Sequence, residues 1–185
     1  MPDNHIVVAG AGIMGASIAY RLAKRGAKVT IVEASQAGAG ATGKSFGWIN
    51  ATFSKSPRNY FELNRLGIAG WRRLQRELNG ELHVQWGGSV AWFPPGDEAD
   101  AFGQSVRRHQ EWGYRATFID EQELRRLLPA VVPGELGVAV WSEEEGTVDP
   151  SAFSGIQPPR CCRERTKLIC RYQRSRKRGL LRFVT

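Results

Sequence analysis

Between His5 and Glu33 the chain reads His-Ile-Val-Val-Ala-Gly-Ala-Gly-Ile-Met-Gly, then Ala16 to Gly26, then Ala-Lys-Val-Thr-Ile-Val-Glu. Ile6 to Ala9 form the short apolar run expected of a parallel strand buried on both faces. Three glycines follow at the spacing of a phosphate-binding turn. Gly10 allows a sharp exit from the strand, Gly12 removes a side chain that would hold a pyrophosphate off the backbone, and Gly15 lets the following helix lie close on the sheet. Ile18, Ala19, Leu22 and Ala23 recur at helical spacing, and Gly26 predicts the stop. A second strand, Lys28 to Val32, then delivers Glu33, 18 residues beyond Gly15, where a carboxylate can accept hydrogen bonds from an adenosine ribose. Strand, turn, helix, strand and acid in this order predict a dinucleotide seat, whereas the glycines alone would fit any tight turn.

The rest of the composition excludes several alternatives. The formal charge is +8 over 185 residues, which suggests nucleic acid until its distribution is read. Residues 1 to 156 hold 16 basic and 17 acidic residues, while residues 157 to 185 hold 10 basic residues and one acid, Glu164. The body is near neutral and the basicity is local to the tail. Cys161, Cys162 and Cys170 lie in the same tail, without the paired spacing of a zinc site, so no metal is expected. The N-terminus lacks the charge pattern of a signal peptide and no apolar run reaches membrane-span length, so a cytoplasmic protein is expected.

The segment from Ala34 to Asn50 is small and glycine-rich, ending Gly-Ala-Thr-Gly-Lys-Ser-Phe-Gly-Trp-Ile-Asn. Its backbone amides and the Thr42 and Ser45 hydroxyls could approach a phosphate closely. Together with the turn ending in Glu33, this second loop resembles the N-terminal part of FAD-dependent amine and amino acid oxidoreductases, the D-amino acid oxidase superfamily of glycine oxidase and sarcosine oxidase type. The resemblance implies FAD rather than NAD. It implies that Gly10, Ala11, Gly12, Ile13, Met14 and Gly15 line the pyrophosphate and that Glu33 with Ala34 meets the adenosine ribose. It places Ala41, Thr42, Ser45, Phe46 and Gly47 along the pyrophosphate and flavin side. Some relatives carry a histidine in the second loop that bonds the flavin; Lys44 stands near that place here, which implies noncovalent FAD.

Further along, Ser56-Pro57 predicts a helix start, and Leu63, Leu66, Trp71, Leu74 and Leu78 predict one amphipathic helix to Asn79-Gly80. Its arginines, Arg65, Arg72, Arg73 and Arg76, read as a solvated face, and nucleic acid is not expected as a partner. His83 to Phe93, Tyr114 to Ile119 and Val138 to Trp141 predict strands, with Trp86 and Trp92 as sheet core. Asp97 to Trp112 predicts a helix, and Asp120 with Glu123 a capping box before another. His5, His83 and His109 have no partner spacing and read as structural or solvated. The expected fold is α/β: a Rossmann-like FAD-binding βαβ unit within residues 1–80, part of an α+β substrate domain over 81–150, and an irregular basic tail over 151–185.

The resembled enzymes oxidise the amine carbon of an amino acid or secondary amine by hydride transfer to flavin, so a small-molecule amine is the expected substrate. Catalytic residues are not assigned; Arg58, Arg65 and Arg115 are candidates by residue type only. Glu145 to Phe153 is similar to the place where the family chain returns to its FAD domain, but Pro158-Pro159 and the abrupt change in charge and cysteine content depart from the pattern. The expectation is that the reading frame or gene departs from its ancestor near residue 156 and that the tail is disordered. Two functional classes follow: an FAD-dependent oxidoreductase, or a non-catalytic remnant unable to hold FAD.

Overall fold

The computed structural model describes residues 5–51, 55–80, 82–150, 166–170, 173–174 and 181–182. Contacts divide the chain into two compact units. One comprises Met1–Gly47, Glu81–His83 and Asp149–Thr185; the other comprises Trp48–Gly80 and Val84–Val148.

The first unit is built on a parallel sheet. β1 (His5–Ala9) pairs in parallel with β2 (Lys28–Glu33), with Val8 opposite Ile31, and α1 (Ile13–Lys24) bridges them. Ala19, Ala23, Val29 and Ile31 are buried together with Ala11, and Val8, Tyr20 and Leu22 pack against them. Burying a side chain such as Val29 or Ile31 contributes about 1.5–3 kcal/mol, and the two alanines keep the helix close to the strands. α1 ends as its pattern predicts, with Gly26 at φ 95° and its amide bonded to the Ala23 carbonyl at 3.0 Å.

A third strand, β8 (Thr166–Cys170), lies parallel to β2 on its other side, with Val29 opposite Thr166 and Glu33 opposite Cys170. The expected irregular tail over 151–185 is therefore corrected at these five residues. The Thr-Lys-Leu-Ile-Cys run is short, and its strand character comes from the partner edge of β2 rather than from any periodicity of its own. The two-residue strands Gln173–Arg174 (β9) and Leu181–Arg182 (β10) pair antiparallel. Ser151 to Arg165, including the Pro158-Pro159 break and Cys161 and Cys162, lie outside the described residues.

The second unit contains an antiparallel sheet of β4 (Ser89–Phe93), β6 (Val138–Ser142) and β5 (Ala116–Phe118), with β6 central. A two-strand pair joins β3 (Trp48–Ile49) to β7 (Gly146–Thr147). α2 (Arg58–Glu77), α3 (Asp97–Glu111) and α4 (Glu121–Leu127) complete it. Asp120 caps α4 as expected, its Oδ1 accepting from the Glu123 amide at 2.8 Å. Pro57 rather than Ser56 occupies the cap position of α2, without a side-chain cap.

The sequence boundary at residue 80 grouped α2 with the dinucleotide-binding part, whereas contacts group it with the antiparallel sheet. The reason is aromatic. Phe61 of α2 is fully buried, stacked on His109 at 4.8 Å between ring centroids and edge-on to Tyr114 at 5.6 Å. His109 is thus a packing residue, with its Nε2 3.1 Å from the Lys55 carbonyl oxygen. His5 lies on the sheet, with Nε2 2.8 Å from the Thr30 hydroxyl, and His83 is exposed.

Candidate functional site

The turn from β1 into α1 is specified by a positive φ at Gly10 and by a clearance at Gly15 that leaves no room for a side chain. Gly10 sits at φ 97°, and its amide donates to the Val32 carbonyl at 2.7 Å, tying the turn to the end of β2. A Cβ on Gly15 would lie 1.9 Å from the Gly10 carbonyl oxygen, so only glycine permits this helix to start against this strand. A Cβ on Gly12 would lie 3.1 Å from the Thr42 hydroxyl oxygen.

Two side chains brace this turn. The Thr42 hydroxyl accepts from the Ile13 amide at 2.9 Å, so the second loop folds onto the N-terminus of α1. Glu33 accepts from the Ala11 amide at 2.8 Å through Oε2 and from the Ser35 amide at 3.1 Å through Oε1. Its carboxyl is held below the ordinary carboxylate range, chiefly by the Ala11 amide and then by the Ser35 amide; partial burial opposes the shift and the Ala34 amide adds to it. The charge is therefore fixed at the point where β2 ends, and each oxygen retains acceptor capacity for a further hydroxyl.

The second loop is itself a compact chain of turns. The Gly38 amide donates to the Ala11 carbonyl at 3.0 Å, and the Gly43 amide donates to the Gly38 carbonyl at 2.7 Å. Ser45 folds back, its hydroxyl donating to the Thr42 carbonyl at 2.8 Å. Ala11, Gly12, Ile13, Glu33, Ala34 and Thr42 thus converge around the N-terminus of α1. Ala41 and Ser45 follow on the same loop, with Gly47 at its end. Met14 and Phe46 are 72% and 83% exposed, which places apolar surface beside the polar turn.

The arrangement suits a dinucleotide. The first-turn amides of Met14 and Gly15 have no acceptor within the helix, no acid occupies that turn, and the helix dipole favours an anion there. A glycine-lined approach, first-turn amides and an oriented carboxylate fit the diphosphate and adenosine of a dinucleotide such as FAD. No histidine or cysteine lies between Ala34 and Asn50 to bond the flavin covalently.

The fold and this turn define a protein of the Rossmann-like dinucleotide-binding class. The sequence profile of the FAD dependent oxidoreductase family, DAO, matches residues 5–154, and the chain belongs to that family. The family is FAD-dependent. The chain is 31% identical over 150 residues to the glycine oxidase of Bacillus licheniformis, covering 79% of this chain and 39% of that protein. It is 33% identical over 169 residues to the tRNA 5-methylaminomethyl-2-thiouridine biosynthesis bifunctional protein MnmC of Chromohalobacter salexigens, covering 88% of this chain and 22% of that one. The crystal structure of glycine oxidase from Geobacillus kaustophilus superposes with a TM-score of 0.80 at 21% identity, over 91% of this chain and 46% of that chain. The chain thus spans less than half the length of these three relatives.

The arginines named by type all belong to the second unit. Arg58 pairs with Glu62 at 3.7 Å, and Arg115, itself exposed, pairs with Glu143 at 3.2 Å and with the half-buried Glu144 at 3.8 Å. Arg65 donates to the Trp112 carbonyl at 3.4 Å and lies over the Phe61 ring. Trp86 is not sheet core: it is half-buried outside β4, with the Arg72 guanidinium 4.1 Å above its ring. Glu145 was not singled out by sequence reasoning. It is fully buried and accepts from Trp48 Nε1 at 2.9 Å, the Ala51 amide at 3.1 Å, Tyr114 Oη at 2.8 Å and the Ser89 hydroxyl. The only sequence signal is that it closes a run of three glutamates before a glycine.

Among the described residues no helix is long and apolar enough to cross a membrane, and no group of His, Cys, Asp and Glu is placed to hold a metal.

Proposed function

We propose that this chain carries the FAD seat of an oxidoreductase acting on the amine carbon of a small amino acid or secondary amine. Gly10, Ala11, Gly12, Ile13, Met14 and Gly15 take the pyrophosphate, and Glu33 with Ala34 takes the ribose of the adenosine. Ala41, Thr42, Ser45, Phe46 and Gly47 border the pyrophosphate and the flavin. The carrying observation is the joint constraint at the turn: a glycine that tolerates no Cβ, and a carboxylate already oriented by the Ala11 amide. Bound FAD supplies the hydride acceptor. The chain's own residues orient the cofactor and hold a fixed negative charge at Glu33.

The amine substrate is supported by the glycine oxidase relative. A second reading, a chain that does not turn over, is favoured by one observation. Among the described residues β1 pairs with β2 alone, and Val7 on it is 58% exposed. Purification of the full chain tests both. Yellow protein with a flavin absorbance spectrum, whose flavin is released by denaturation, is expected. Colourless protein that takes up no FAD on titration overturns the cofactor reading. FAD-loaded protein that leaves glycine, sarcosine and proline unoxidised supports the second.

A further inference from the structure

We propose that a notch at the C-terminal end of α2 binds a phosphate monoester, with Arg72 and Arg76 holding the phosphate. The notch encloses about 350 Å³ and is lined by Arg72, Gln75, Arg76, Asn79, Gly80 and Trp86, all within the second unit. Its volume falls in the range of small-molecule sites and exceeds what a bare oxyanion needs. The inference stands apart from the FAD reading, since none of these residues belongs to the glycine turn.

The charge is uncompensated. Arg72 and Arg76 are four residues apart on one helical face. Neither has a carboxylate partner among the described residues. A cation in the last turn is favoured by the helix dipole, which accounts for Arg76 alone. It does not account for Arg72, which is half-buried and pre-oriented: its Nη2 donates to the Glu144 carbonyl at 3.1 Å and its Cζ lies 4.1 Å from the Trp86 ring centroid. One bond to a carbonyl leaves most of its five donors available, and two guanidinium forks match a dianion better than a single carboxylate does.

The walls are also built. Trp86 Nε1 donates to Gln75 Oε1 at 2.6 Å, while Gln75 Nε2 donates to the Val84 carbonyl at 3.1 Å, so one glutamine fixes the indole. Gly146 clears space behind it: a Cβ there would lie 2.9 Å from Trp86 Cε3 and 2.5 Å from the Gln85 carbonyl oxygen. Asn79 and Gly80 sit at φ 51° and 81°, and the Gly80 amide returns to the Gln75 carbonyl at 2.9 Å, which closes the floor. The indole gives the organic part of the ligand an apolar wall beside the phosphate-binding forks.

Calorimetric titration of the full chain with phenyl phosphate, at about 0.15 M salt, tests this. Saturable binding is expected, weakened about 10-fold or more in Arg76→Gln and in Arg72→Gln, partly retained in Arg76→Lys, and unchanged in Glu33→Gln. Arg76 is exposed and has no salt-bridge partner among the described residues, so its variant folds even if loss of Arg72 disturbs Trp86. No saturable binding, binding that survives Arg76→Gln, or binding that FAD displaces would each overturn the proposal.

Discussion

Two carboxylates show how differently the two units are made. Glu33 is partly buried at the end of a strand and accepts from backbone amides within its own βαβ segment, those of Ala11 and Ser35. Glu145 is fully buried and collects donors from Trp48, Ala51, Ser89 and Tyr114, which lie 31 to 97 residues away in sequence. The first braces a turn that is otherwise complete. The second joins β3, β4 and Tyr114, two residues before β5, to the turn after β6, and its removal strands several polar groups at once. A local motif tolerates the loss of one member better than a hub does.

Replacement of Glu145 should therefore have the largest effect. Glu145→Ala leaves buried donors without acceptors and is expected to cost about 3–5 kcal/mol, measured as a lower urea midpoint or as loss of soluble protein. Glu145→Gln keeps one acceptor oxygen and should fall between Glu145→Ala and the native chain. A midpoint unchanged in both would abolish the contrast between hub and turn. Gly15→Ala comes next, because the added Cβ meets backbone 1.9 Å away. A loss of about 1–3 kcal/mol should accompany loss of flavin absorbance, whereas Glu145→Gln should retain flavin wherever it stays folded.

Glu33→Gln sharpens the comparison from the other side. Flavin affinity should fall about 10-fold, read by fluorescence titration, with little change in the urea midpoint. The lowered carboxyl of Glu33 gives a signed pH response. Because the folded-state pKa lies below the unfolded value, its stabilisation is present above that unfolded value, about 4.3, and is lost as pH falls through the folded one. Glu33→Gln should remove that part of the acid sensitivity, and an unchanged acid titration would contradict the role of the Ala11 amide. The smallest effect is expected at the exposed cap of α4, where Asp120→Ala should cost about 1 kcal/mol in thermal or urea melts and leave flavin uptake untouched.

Legibility followed the same division. The turn from Gly10 to Gly15, the acid at Glu33 and the cap at Asp120 were readable because each depends on residues a few positions apart or on a fixed strand–helix–strand spacing. Thr42 was legible as a loop hydroxyl, but its bond to the Ile13 amide depends on how that loop folds onto α1. α2 was readable as a helix and not as a member of the second unit, because the Phe61 stack on His109 depends on two segments 48 residues apart. β8 was missed because a five-residue strand without alternation is recognised by the edge it joins.

The order of residues alone determined the glycine turn, the acid that closes it and the family to which they belong. Backbone clearance and local hydrogen bonding permit little else at those positions. The tertiary structure alone decided that Glu145 is a hub, that Arg72 lies on Trp86 and that a third parallel strand follows β2. Each joins groups that are remote along the chain, and only packing brings such groups within a few ångströms.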